Sequence, residues 1–198
     1  MVQNEFIGKV YSDNKFKTND ELKSFKDSFI YHWRYGHHPD FGKDTLFHKP
    51  PCVYPIHLRK VHVNIGLYTN QYGYSGTEQC WDDWSTGRYG PGGFEKVTPT
   101  SDAYLIYAVC KNRNAGVLDF WFPPAHKNAE FESSVQFVAE MADKFYESIK
   151  ADPMPRDQNP WHTGYIVKKP AWSTQYWLFL ALYGVVSFEA KLFNPLKN

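Results

Sequence analysis

The stretch WRYGHHPDFGKD, residues 33–44, carries Arg34, His37, His38, Asp40, Lys43 and Asp44, interrupted by Gly36, Pro39 and Gly42. Two groups of similar chemistry stand apart from it: His62, within RKVHVNIGLY, and the adjacent pair His126 and Lys127 in FPPAHKN. Histidine, lysine, arginine and aspartate can together transfer protons and hold an anion. A metal centre is not expected, because adjacent His37 and His38 cannot both point one way from an extended chain, and with His48 they lack a ligand spacing. Each residue also has a plain structural use. Arg34 would complement a helix C-terminus, and Gly42 would supply a positive φ. Asp40 or Asp44 would shape the turn or cap a short helix through DTLF, and Lys127 would be a solvated side chain.

These residues need elements to position them. TNDELKSFKDSFIYHWRYG opens with Thr18 and Glu21 in capping-box spacing, places Leu22, Phe25, Phe29 and Trp33 on one face, and stops at Gly36. That predicts an amphipathic helix over about 19–35. RKVHVNIGLY alternates, with Val61, Val63, Ile65 and Leu67 on one side and Lys60, His62, Asn64 and Gly66 on the other; it predicts a half-buried strand with His62 on its polar face. His62 is then either an acid–base group lining a cleft or a cross-strand pair partner.

AYLIYAVC and AGVLDFWF predict a hairpin joined by KNRNAG, and hence an antiparallel sheet. From His126 to Lys150, apolar residues recur every three or four positions as a second long amphipathic helix. His126 would sit at its N-terminus, where free N–H groups favour a phosphate and the dipole favours a neutral imidazole. The bland alternative is a surface residue beside a cap.

The segment 68–99 is rich in Gly, Tyr and Trp and is long for an ordinary loop. Its Tyr72, Tyr74, Trp81, Trp84 and Tyr89 suit base stacking, packing or a protein contact, and Asp82 and Asp83 disfavour RNA. ADPMPRDQNP, from Ala151, reads as a linker, followed by strands or a short helix whose Trp161, Trp172, Tyr176, Trp177 and Phe179 suit packing on the main sheet.

The chain has 198 residues, 42% hydrophobic and 18% aromatic, enough for one compact body, and no internal repeat. The net charge of +1 excludes the strongly basic signature of a general nucleic-acid binder. Charge is unevenly spread, positive over 1–70 and negative over 71–150, and six of the eight histidines fall between His32 and His62. An anionic partner would therefore meet the N-terminal third first. Cys52, Cys80 and Cys110 are odd in number and lack CxxC spacing, which suits a reducing compartment better than a disulfide framework or zinc ribbon. The N-terminus lacks a signal-like apolar region, and the run 177–186 is far shorter than the roughly 20 residues of a membrane span. A cytoplasmic protein without membrane contact is expected.

FIYHWRYGHHPDFGKDTLF, VHVNI, TSDAYLIYAVC, AHK and FVAEMADKFY occur in one order across residues 18–148. In this the chain resembles the YafO family of bacterial toxins from toxin–antitoxin systems. The resemblance implies a ribosome-associated endoribonuclease, acting with the large subunit on translating mRNA and neutralised by an antitoxin. It implies a small α+β body, related by analogy to RelE-like toxins, which agrees with the antiparallel sheet and two long amphipathic helices read from periodicity. A metal-free ribonuclease needs a base at the 2′-oxygen, an acid at the leaving 5′-oxygen and cations at the non-bridging oxygens.

On the matching positions, His126 is the first catalytic candidate and His62 the second. Arg34, Lys43 and Lys127 are the RNA-binding candidates, with Asp40, Asp44 and Asp102 as structural or supporting residues and no cofactor. The domain expectation is a toxin body over 1–150, with an insert at 68–99, and an aromatic-rich extension over 151–198 packed on it or extending it. The insert, the low charge and the extension depart from the family pattern. A non-catalytic ribosome- or RNA-binding protein, or a protein-interaction module, is the alternative.

Overall fold

The computed structural model describes residues 2–90 and 96–170. It has an α+β fold of two units, Glu5–Val167 and a second made of Met1–Asn4 with Lys168–Asn198. Trp172, Tyr176, Trp177 and Phe179 lie outside the described residues. Strands β1 (Val2–Phe6) and β7 (Ile166–Pro170) pair as a two-stranded sheet. The main sheet contains β2 (Val10–Ser12), β3 (Phe41–Leu46), β4 (Leu58–Val63), β5 (Tyr104–Val109) and β6 (Ala115–Trp121), in the order β2-β6-β5-β4-β3. It is mixed: β3 to β6 run antiparallel, and β2 joins β6 in parallel. A three-residue strand carries too little pattern to announce that pairing in sequence.

One face of this sheet packs Val61, Leu105, Tyr107 and Val117 against Phe16 of α1 (Lys15–Thr18) and Phe29 and Trp33 of α2 (Asp20–Tyr35). The other packs Leu58, Ile106, Ala108 and Leu118 against Val135, Val138, Ala142 and Tyr146 of α5 (Glu132–Ile149). Covering both faces explains why β4 is buried along nearly its whole length instead of half-buried. Each large apolar side chain so enclosed contributes about 1.5–3 kcal/mol.

The start of α2 differs from the capping-box expectation. Thr18 ends α1, and Asn19 is the N-cap, its side chain accepting from Leu22 N–H at 3.0 Å. Gly36 closes the helix with φ of 80° and donates to the His32 carbonyl. DTLF forms part of β3 and not a helix, so Asp44 caps nothing there. Gly42 has no positive φ; a Cβ at that position would lie 2.2 Å from the Pro99 carbonyl oxygen. The second long helix is interrupted. His126 and Lys127 belong to the one-turn α4 (Ala125–Asn128), and α5 begins only at Glu132.

The β5–β6 connection does hold a positive φ, at Arg113 (61°), with no glycine or asparagine in that place. Its guanidinium compensates the strain. Nε donates to the Pro160 carbonyl at 2.7 Å, Nη2 to Trp33 at 2.9 Å and Nη1 to Ile7. The cation lies 4.0 Å from the Trp33 ring centroid and 4.4 Å from that of Phe6. Burial pulls its pKa down to about 9.

Residues 151–160 form a strap where a linker was expected. Met154 is buried and donates its N–H to Val109, and Arg156 donates to the carbonyls of Phe47, Val53 and Ile56. The 68–99 segment contains a 3-10 turn at Asn70–Gly76 and helix α3 (Glu78–Thr86). Trp81 is buried, and the indole N–H groups of Trp81 and Trp84 donate to Thr100 and Phe41 carbonyls.

Arg113→Met is expected to destabilise the fold by roughly 3 kcal/mol, because two buried carbonyls and a partly buried one lose their donor; an unchanged urea midpoint would contradict this. A second expectation concerns acid. Burial lowers the imidazoles of His32, His57 and His62 to about 4. The unfolded chain protonates them near pH 6.5, so it binds more protons than the fold between about pH 4 and 6.5. Their stabilisation is complete above that window and is lost as pH falls through it, on the order of 3 kcal/mol per group. Urea midpoints at pH 7 and 4.5 should differ accordingly.

Candidate functional site

The alternation of β4 places Lys60 and His62 on the α5 side of the sheet, and β3 brings Thr45 opposite Lys60. Lys43, two residues earlier on β3, shares that face. His62 lies opposite Tyr104 on β5, and the β6–α4 corner supplies His126. The segment leading into β5 adds Thr100, tied to Ser75 by a hydroxyl pair at 3.0 Å. Together these eight residues line an open cavity of about 360 Å³.

Its floor is Tyr104. The ring centroids of His62 and His126 lie 4.7 Å and 5.2 Å from that of Tyr104, and 5.5 Å from each other. Lys60 Nζ stands 4.6 Å from the same ring and 5.1 Å from that of Phe47. Two imidazoles and an ammonium thus converge on one aromatic surface.

Each imidazole is anchored through Nδ1. For His62, Ser101 offers its carbonyl at 2.7 Å and its N–H at 2.8 Å, so either neutral tautomer finds a partner. Burial lowers its pKa to about 4, and the charges of His126, Lys60 and Lys43 push the same way against the Ser101 carbonyl. His62 is therefore neutral at pH 7. For His126, Asp102 Oδ1 accepts from the backbone N–H at 2.7 Å and lies 2.9 Å from Nδ1. One carboxylate caps α4 and orients the ring, which favours the Nδ1–H tautomer and leaves Nε2 as the nitrogen not bound by Asp102.

The sequence-derived candidates divide at this point. Lys43, His62 and His126 line the cavity, and Asp102 stands behind His126. Arg34 is exposed at the end of α2, against the opposite face of the sheet, and neither it nor exposed Lys127 lines the cavity. Asp40 accepts from Ser28 and faces His38 Nδ1 at 3.5 Å. Asp44 also turns to the opposite face, accepting from Arg59 at 3.0 Å, Tyr107 at 2.5 Å and Trp161 at 2.8 Å. His126 has no long-helix dipole behind it, since its helix is a single turn. Lys60, Tyr104, Thr45, Ser75 and Thr100 were not anticipated. The signal for Lys60 was present, two residues from His62 on the same side of an alternating strand.

The model of the toxin YafO family, type II toxin–antitoxin system, matches residues 16–147. The chain belongs to the YafO toxin family. No curated protein and no solved structure matches it. The match spans every residue lining the cavity. Membership makes the chain a type II toxin, with an antitoxin as its partner. Among the described residues of this YafO-family chain, no group of three or more His, Cys, Asp or Glu side chains could hold a metal ion. No helix among them is long and apolar enough to cross a membrane.

Asp102→Ala should remove both the cap and the ring anchor. The expected result is a loss of about 1 kcal/mol in stability and a shift of His126 from one Nδ1–H tautomer to a mixture, read from imidazole nitrogen chemical shifts. Unchanged shifts would show that Asp102 does not set the tautomer.

Proposed function

We propose that this toxin is a metal-independent endoribonuclease that cuts mRNA on the translating ribosome and so stops protein synthesis. The observation that carries the reading is the meeting of His62 and His126 above Tyr104, beside two lysines. Neutral His62, donating Nδ1–H to the Ser101 carbonyl, accepts the 2′-hydroxyl proton at Nε2. The freed 2′-oxygen attacks phosphorus and the bond to the 5′-oxygen breaks. His126, entering this step with a proton on each ring nitrogen, delivers the Nε2 proton to that oxygen while Asp102 holds the ring at Nδ1. The products are a 2′,3′-cyclic phosphate and a 5′-hydroxyl. Lys43 holds the RNA backbone at the rim, with Arg34 and Lys127 as outlying contacts.

The large ribosomal subunit is the proposed platform, in the cytoplasm, with the antitoxin as the inhibitor, no cofactor, and RelE-like toxins as the related fold. The toxin body is taken as 1–150 with its 68–99 insert, and 151–198 as its extension. Low net charge agrees with a protein whose affinity for RNA comes through the ribosome.

Primer-extension mapping of an mRNA in a reconstituted translation reaction tests this, with and without ribosomes. Cleavage is expected only with ribosomes, and His126→Ala and His62→Ala should each reduce it by about 10²–10⁴-fold. Ribosome binding without cleavage under any condition would replace the enzyme with a binding protein.

A further inference from the structure

Lys60 lines the cavity beside the two histidines and takes no part in the proton transfers. Its side chain is partly buried, yet it makes no ion pair among the described residues. The carboxylate nearest in sequence on the neighbouring strand, Asp44, is turned to the opposite face and held by Arg59, Tyr107 and Trp161. What supports the ammonium instead is aromatic, the faces of Tyr104 and Phe47. A second cation, Lys43, lines the same cavity. Burial, with a smaller contribution from the Lys43 charge, lowers the Lys60 amine from its ordinary value.

Among the described residues no carboxylate lines the cavity between these two cations, and two cations so gathered make an anion seat. Position narrows the anion further. Lys60 Nζ, His62 and His126 all lie about 5 Å from the Tyr104 ring centroid, so an anion held by Lys60 lies within reach of both imidazoles. The hydroxyls of Thr45 and Thr100 line the same space and suit the remaining oxygens of a tetrahedral group.

We propose that Lys60 is a catalytic residue that, with Lys43, seats a phosphoryl group at its non-bridging oxygens, directly between His62 and His126. In RNA this group is the phosphodiester being cut. The inference rests on the ribonuclease reading for that assignment, while the seat itself is open to test without any cleavage. Lys60 keeps its proton throughout. It neutralises charge as the phosphorus becomes five-coordinate, whereas the two histidines carry the proton traffic.

The first experiment titrates the full chain with inorganic phosphate at constant pH and ionic strength, following the imidazole resonances of His62 and His126. Saturable shifts are expected in the native protein. Lys60→Met, which keeps the stem against the rings, should weaken binding at least tenfold, and Lys60→Arg should retain it. Lys43→Gln, at the exposed rim, should weaken it about threefold and reads the same seat if Lys60→Met fails to fold. No saturable shift in the native protein, or equal affinity in the lysine variants, would overturn the proposal.

The second arm measures cleavage on ribosomes, where Lys60→Met should lower kcat by about 10²–10³-fold with a small change in KM. Cleavage unaffected by Lys60→Met would overturn the role of Lys60 alone. Phosphate seated normally with no cleavage in the native protein would overturn the ribonuclease reading and leave the seat standing.

Discussion

The buried guanidinium of Arg113 ties together parts of the chain that are remote in sequence. Among the described residues it has no carboxylate partner, and a cation so withdrawn from water persists where carbonyls and aromatic faces surround it. Here these come from Ile7, the last turn of α2 and Pro160 in the strap. The hairpin loop thereby fixes where α2 ends and where the strap crosses. Trp33 answers by donating its indole N–H to the Arg113 carbonyl at 3.1 Å, so the two residues hold each other by main chain and side chain.

Charge is sorted across the main sheet by strand alternation. On the α2 side, Asp44 is consumed by Arg59, Tyr107 and Trp161, a network closed within the protein. On the α5 side, the neighbouring positions present Lys43, Thr45, Lys60 and His62 to a cavity. Asp102 is the carboxylate that stands at this site among the described residues, and it is engaged with His126. A modest net charge therefore coexists with a locally cationic cleft. Composition averages over the two faces, and the pleat separates them.

Much of this was legible beforehand. The periodicity of residues 19–35, the alternation through Lys60 and His62, and the hairpin about KNRNAG are local patterns, and the helix, strand and hairpin lie where those patterns place them. The errors share one cause. Reading 151–160 as a linker and DTLF as a helix start relied on Pro, Asp and turn propensity. Both segments instead take their form from distant partners: Arg156 reaching Phe47, Val53 and Ile56, and β3 pairing with β4. The break between α4 and α5 escaped because the apolar spacing continues through it.

Sequence by itself determined α2, β4 and the β5–β6 hairpin, the α+β class and the family, because helical and strand periods and motif order are properties of neighbouring residues. It also supplied His62 and His126 as separate candidates. Only the tertiary structure decided that they meet over Tyr104, that Asp102 stands behind one and Ser101 behind the other, and that Lys60 joins them while Arg34 does not. Those relations join residues from different elements, His62 with Ser101 and His126 and Asp102 with His126, and strand register, which depends on packing against both helical layers, sets them.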